Sequence, residues 1–103
     1  WLANARAVRE AHADEIAAQP TEEGRVNRLV ECNVRDQSVR LAHTKTVREA
    51  FARRQQLWIH GWVYDIRDGM IRTLLEIDAD TVLDDVAAPD RVLLTDSEIS
   101  DAA

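Results

Sequence analysis

The chain has 103 residues, a formal net charge of −6 at neutral pH and 46% hydrophobic residues. A chain of this length forms one small domain and has a limited core to bury. No apolar run approaches the roughly 18 residues of a membrane span, and the first residues do not form a signal peptide. The net acidity argues against nucleic acid as a partner, because its phosphates would be repelled.

The acidic charge is concentrated in residues 76–103, where Arg91 is the single base. The acids of this segment are Glu76, Asp78, Asp80, Asp84, Asp85, Asp90, Asp96, Glu98 and Asp101. Such a run is typical of a solvated end, although acidic ends also act as interaction segments. We therefore expect one folded region over residues 1–75 and a partly ordered acidic tail over residues 76–103.

Two helices are predicted in the first part of the chain. Residues 1–18 have an apolar stripe at helical spacing, and Pro20 ends it. That stripe contains Leu2, Ala5, Val8, His12 and Ile16. Thr21 is then a predicted N-cap, followed by two acids in the first helical turn. The inward face of this second helix is expected to contain Val26, Leu29, Val30, Asn33, Gln37 and Leu41.

A third helix is predicted to begin at Thr44 or Thr46. Its spacing directs Val47, Ala50 and Phe51 inward. The basic residues Arg48, Arg53 and Arg54 are expected at the surface or in the last turn, where cations favour the negative helix end.

Residues 57–66 predict a strand that is apolar on both alternating faces, a pattern typical of a strand buried inside an α/β sheet. Asp68-Gly69 favours a tight turn, because both residues tolerate positive φ. Residues 70–74 should therefore pair antiparallel with this strand. Val92-Leu93-Leu94 is too short to add a convincing further strand, so the predicted strand needs a covering partner.

Cys32 is the lone cysteine, which excludes an internal disulfide and predicts a reducing, cytoplasmic location. Its position inside a predicted helix favours a small core residue over a metal ligand or nucleophile. The histidines His12, His43 and His60 share no ligand spacing, so structural or solvent roles are favoured. We assign no catalytic residue and no metal ligand within this chain.

Three segments carry a resemblance to a known family: His60-Gly-Trp-Val-Tyr-Asp65, Asp68-Gly69 and Glu31-x-Asn33-Val34. In combination they closely resemble the carboxy-terminal half of a bacterial β-class carbonic anhydrase, over about residues 1–75. The resemblance implies an α/β fold class, in which helices and a terminal β-hairpin form the carboxy-terminal portion of a mostly parallel sheet. It also implies that the full enzyme hydrates carbon dioxide reversibly to bicarbonate, using zinc.

The family binds its catalytic zinc through the motifs Cys-x-Asp-x-Arg and His-x-x-Cys, and neither motif occurs here. The resemblance therefore implies that zinc belongs to the full-length protein, and that this segment alone is inactive and binds no catalytic zinc. Because the chain does not begin with methionine, we expect Trp1 to be an internal residue of a longer protein. The expected partners are the missing amino-terminal half or a second chain, in a homo-oligomer.

Tyr64 is the one residue to which the resemblance gives a regulatory role. In some bacterial members, a tyrosine at this position of the His-Gly-Trp-x-Tyr motif helps to form a noncatalytic bicarbonate pocket. Its tryptophan and arginine partners would lie in the missing half. Because a buried tyrosine also commonly satisfies a neighbouring backbone group, an anion-binding role and a structural role both stay open.

Three functions are compatible with the sequence. The first is that of a carboxy-terminal segment of a β-class carbonic anhydrase. The second is that of a catalytically inactive scaffold or subunit that acts through oligomerisation. The third is that of a small helical DNA reader using Arg48, Arg53 and Arg54, which the net acidity disfavours.

Overall fold

The structure is a computed structural model that describes the backbone of residues 2–102 and the side chains of residues 6–99. Its helices are α1 Leu2–Ala11, α2 Ala13–Ala17, α3 Glu22–Ala42, α4 Lys45–Ala52 and α5 Asp96–Ala102, and its strands are β1 Ile59–Asp65 and β2 Met70–Ile77. A short 3-10 turn covers Leu83–Asp85. This arrangement confirms the predicted α/β class, with helices and a hairpin. Within the described chain, no helix combines the length and apolar character needed to cross a bilayer.

The predicted first helix is divided in two at His12, which lies between α1 and α2. Val8 and Ile16 are buried and His12 is partly buried, which confirms this part of the predicted stripe. The side chains of Leu2 and Ala5 lie outside the described residues. Both α1 and α2 contact α3.

The predicted start of α3 is confirmed, because the Gly24 amide donates to Thr21 Oγ1 at 3.0 Å. The predicted inward face is wrong for Val26, Val30 and Leu41, which are exposed, whereas its other members Leu29, Asn33 and Gln37 are half-buried. The buried residues of α3 are Gly24, Arg28, Glu31, Cys32, Ser38 and Ala42. The apolar pattern is misleading because the buried face of α3 contains the charged residues Arg28 and Glu31. Their burial is possible because both have partners elsewhere in the chain.

Thr44 is the N-cap of α4, so the structure selects the first of the two predicted starts. Val47 and Phe51 pack against a core cluster of Ala42, Ile59 and Ile77, as expected for the inward face. Arg48, Arg53 and Arg54 are exposed, as predicted.

β1 and β2 pair antiparallel, and Gly69 in the turn has a φ of 70°, which confirms the predicted hairpin. A register shift between Gly61 and Trp62 leaves Leu74 without an opposite residue, as in a β-bulge. At Gly61 the strand comes so close to α3 that an added β-carbon would lie 3.0 Å from Ser38 Oγ. No further strand is present within residues 2–102.

The two faces of the hairpin differ in burial. Ile59, Val63 and Asp65 of β1 are buried on the inner face, whereas Trp62 and Tyr64 on the other face are exposed. The expectation of burial on both faces is therefore wrong for this chain by itself, because no element within residues 2–102 covers the outer face.

Candidate functional site

The outer side of the hairpin is an exposed, largely aromatic surface, which we call the open face. It consists of His60, Trp62 and Tyr64 on β1 and their partners Glu76, Thr73 and Ile71 on β2. The rings of His60 and Trp62 are 5.6 Å apart, and His60 Nδ1 lies 3.3 Å from Glu76 Oε1. A contiguous exposed patch of this kind is typical of an interaction surface.

Tyr64, the predicted regulatory residue, lies at the turn end of the open face, opposite Ile71. It is 60% exposed, and a β-carbon placed on Gly69 would lie 3.8 Å from its hydroxyl. Among the side chains of residues 6–99, the hydroxyl has no hydrogen-bond partner. It is therefore accessible to a ligand or to another part of the protein.

The two arginines of the hairpin are engaged in ion pairs near the turn. Arg67 Nη2 lies 2.9 Å from Asp65 Oδ2, and its Nη1 lies 3.1 Å from Asp96 Oδ1 at the start of α5. Arg72 Nη2 lies 2.5 Å from Asp68 Oδ2. Hydrogen bonds from Arg67 lower the pKa of Asp65 from 3.8 to about 2. These contacts connect the turn to residues 78–102, which we call the C-terminal segment, and neither guanidinium is left without an acid beside it.

A second cluster is buried between α2, α3 and the C-terminal segment, and we call its members Glu15, Arg28, Glu31 and Cys32 the polar seam. Glu31 is fully buried and lies 3.0 Å from Arg28 Nη1. Its Oε2 accepts the backbone N–H groups of Val92 at 2.6 Å and Leu93 at 2.8 Å. Arg28 also donates to Glu15 on α2. Each buried charge of the seam thus has a partner, as its burial requires.

The C-terminal segment is fastened to α3 along much of its length. Arg35 donates to the carbonyl of Val86, and the Asp96 amide donates to Glu23 at 3.1 Å. Thr95 and Glu98 form a reciprocal capping box, with backbone-to-side-chain distances of 3.1 and 3.3 Å. The spacing Thr-x-x-Glu was visible in the sequence and predicts the start of α5.

Cys32 and His12 meet at one end of the polar seam, although their sequence positions gave no sign of it. Cys32 is fully buried and its thiol donates to Glu15 Oε2 at 3.8 Å. Burial raises the pKa of this thiol to about 11. His12 Nε2 lies 3.0 Å from Asp36 Oδ2, and its Nδ1 lies 3.7 Å from Glu15 Oε2. The packing of α2 on α3 therefore brings a histidine, a carboxylate and a thiol together.

The other residues singled out in the sequence lie apart from both clusters. His43 is exposed at the C-cap of α3, and His60 belongs to the open face. Among the surface arginines of α4 and its end, Arg54 is paired with Asp80 at 2.9 Å. Two separate candidate sites follow: the open face with Tyr64, and the polar seam with its histidine–thiol end.

Comparison with known proteins gives a consistent result for most of this chain. A family model described as carbonic anhydrase matches residues 1–71. Over 86 residues the chain is 34% identical to a carbonic anhydrase of Emericella nidulans, an alignment that covers 84% of this chain. The alignment spans only 37% of the length of that relative. The chain belongs to the carbonic anhydrase family.

Proposed function

We propose that this chain is the carboxy-terminal segment of a zinc-dependent enzyme that interconverts carbon dioxide and bicarbonate. The observation that carries the proposal is the family match over residues 1–71. Because the chain aligns with only 37% of its curated relative, the activity is assigned to a longer protein and not to this segment. A cytoplasmic location is part of the proposal, supported by the single unpaired cysteine.

The catalytic zinc of the family does not fit the residues of this chain. The resemblance to the family implies that two cysteines and a histidine bind this zinc, whereas Cys32 is the lone cysteine here. That thiol is fully buried against Glu15, where substrate has no access. We therefore derive no chemical step from this segment and assign it the role of a scaffold.

The scaffold role rests on how the hairpin is held. The inner face of β1 packs on α3, and the polar seam fixes α3 to α2 and to the C-terminal segment. The open face and the outer edge of β1 are then presented to a partner. We propose that this partner is the rest of the protein's sheet or a second copy of the chain, since a strand edge beside an apolar face is normally covered.

A stopped-flow hydration assay tests the proposal on two proteins, the 103-residue chain and the whole protein that contains it. We expect turnover that a chelator abolishes in the whole protein, and none in the chain. Zinc-dependent turnover by the chain alone would contradict the scaffold role. If the whole protein lacks the Cys-x-Asp-x-Arg and His-x-x-Cys motifs and is inactive, the alternative holds, in which the chain is an inactive subunit that acts by oligomerising through its open face.

We also propose that Tyr64 contributes to regulation by bicarbonate in the whole enzyme. The support is its exposed hydroxyl, which has no partner within residues 6–99. An anion bound there would shift the enzyme between active and inactive states by as much as it prefers one of them. Tyr64→Phe removes the hydroxyl and keeps the ring, so we expect weaker bicarbonate inhibition and an unchanged maximal rate at high pH. Unaltered inhibition, or a collapsed rate in a folded protein, would contradict this role.

A further inference from the structure

We propose that His12, Glu15 and Cys32 form a binding site for one divalent transition-metal cation, such as zinc, which fastens the corner between α1 and α2 to α3. This site is separate from the catalytic zinc of the family and has no part in the hydration reaction. Imidazole, carboxylate and thiolate are donors that zinc accepts together in proteins.

The three donor atoms already lie close to the separation that a metal would require. All of them are within 4.8 Å of one another. His12 Nδ1 and Cys32 Sγ lie 3.7 and 3.8 Å from the same atom, Glu15 Oε2. Zinc bond lengths place the ligands of a tetrahedral site roughly 3.3–3.6 Å apart. The two pairs that involve Glu15 Oε2 are therefore already within about 0.5 Å of the separation that a tetrahedral metal site requires.

The surroundings of His12 orient the ring for coordination. Its Nε2 lies 3.0 and 3.1 Å from the two carboxylate oxygens of Asp36, which holds the proton on that nitrogen. In the neutral ring with its proton on Nε2, Nδ1 is the nitrogen left to coordinate a metal, and it lies 3.7 Å from Glu15 Oε2. A carboxylate on the far nitrogen of a histidine is the usual support of a metal ligand. A cation placed between Nδ1 and Glu15 Oε2 would be attracted to both atoms.

Glu15 is likewise held in a suitable position. Arg28 binds its Oε1, which directs Oε2 toward His12 and Cys32. A surface cavity of about 290 Å³ lined by residues 10–15 opens His12 and Glu15 to solvent, from which a water can supply the fourth ligand. Coordination of Cys32 forms the metal–sulfur bond and releases the thiol proton to solvent.

The test is a titration with Zn²⁺ and Co²⁺ of the protein as it exists, followed by metal analysis after dialysis. We expect the wild type to hold one metal equivalent more than His12→Gln or Cys32→Ser. The Co²⁺ form should show a thiolate-to-metal charge-transfer absorption that both variants lack. Asp36→Asn, which removes support from a ligand and keeps all three donors, should weaken binding about 10–100-fold.

His43→Gln is the matched control, since the same substitution is made at an exposed histidine on the C-cap of α3. It should keep the full metal content and the charge-transfer band. Zn²⁺ should raise the melting temperature of the wild type and of this control more than that of His12→Gln, and a chelator should remove the difference. The proposal is overturned if the folded wild type holds no additional metal, or if His12→Gln holds as much. Metal content and melting temperature are independent of hydration activity, so failure here is distinguishable from failure of the proposed function.

Discussion

On the outer side of the hairpin, the rings of Trp62 and Tyr64 are more than half exposed, whereas α3 buries the charged side chains of Arg28 and Glu31. Both arrangements depart from the usual placement of apolar residues inside and charges outside. The difference lies in the partners, because every charge of the polar seam is paired within the chain. The open face has no such cover within residues 2–102. The buried charges of the seam are thus matched within the chain, whereas the aromatic surface has no covering element among the described residues.

We expect substitutions in the polar seam to lower the free energy of unfolding more than substitutions on the open face. Glu31→Ala should have the largest effect. This change leaves the Val92 and Leu93 amides without an acceptor and leaves Arg28 with a single acid. We expect the free energy of unfolding to fall by about 3–5 kcal/mol, as for a buried ion pair that loses one member. Urea unfolding monitored by circular dichroism measures this.

Glu22→Ala is the control for this substitution, because Glu22 is an exposed acid in the first turn of the same helix. Its effect should stay below about 1 kcal/mol. Glu31→Gln, which preserves shape but not charge, should fall between the two. Equal losses for Glu31→Ala and Glu22→Ala would show that the seam does not dominate stability.

Features that depend on local contacts could be predicted from the sequence, whereas those that depend on distant residues could not. The hairpin and the Thr21 cap were predicted because their signals are local: Asp68-Gly69 in one turn and a hydroxyl three residues before the amide it accepts. The buried face of α3 was not predicted, since its partners come from positions 13 and 61 residues away in the chain. A helical pattern of apolar residues does not indicate buried charges, so it does not predict the burial of Arg28 and Glu31.

Of the two candidate sites, one has a local sequence signal and the other does not. Tyr64 was identified through a motif on one strand, and its exposure shows that its hydroxyl is accessible. The approach of His12 to Cys32 depends on how α2 packs on α3, and no fixed spacing encodes that packing. The Thr95–Glu98 capping box was readable from its spacing, but the acidic composition around it obscured the signal.

Gly61→Ala tests the contact between the hairpin and α3. The new β-carbon would meet Leu75 Cδ2 and lie 3.0 Å from Ser38 Oγ, so either the strand or the helix must shift. We expect a loss of about 1–3 kcal/mol, as for an overpacked core. A double-mutant cycle with Leu75→Ala sharpens the test, because removing the Leu75 side chain should make the added methyl less costly. The same loss in both backgrounds would exclude the clash with Leu75 as its cause.

Acid should weaken the ion pair between Asp65 and Arg67 at the turn of the hairpin. Arg67 lowers the pKa of Asp65 from 3.8 to about 2, so this carboxylate stabilises the folded state above its unfolded pKa. The contribution is lost as the pH falls from about 4 through about 2. Asp65→Asn should therefore lower stability at neutral pH and flatten its pH dependence in this window, as measured by thermal melts. The pKa of Glu98 is also lowered to about 2, chiefly by Arg91, so part of the acid dependence should survive. An unchanged pH profile in Asp65→Asn would contradict the assignment.

The smallest effect on the chain's own stability should come from the open face, where Trp62→Ser removes an indole that is 52% exposed. We expect the free energy of unfolding to change by about 1 kcal/mol or less, since mutations at the surface cost little. Association should respond instead, because the indole is a large apolar group on a face that needs a partner. Sedimentation and light scattering should show that the wild type is an oligomer and that the variant dissociates at higher protein concentration. Val26→Ser is the matched control, because Val26 is a similarly exposed apolar residue on α3, away from this face, and its variant should assemble normally. A wild type that is a compact, stable monomer at micromolar concentration would contradict the role of the open face.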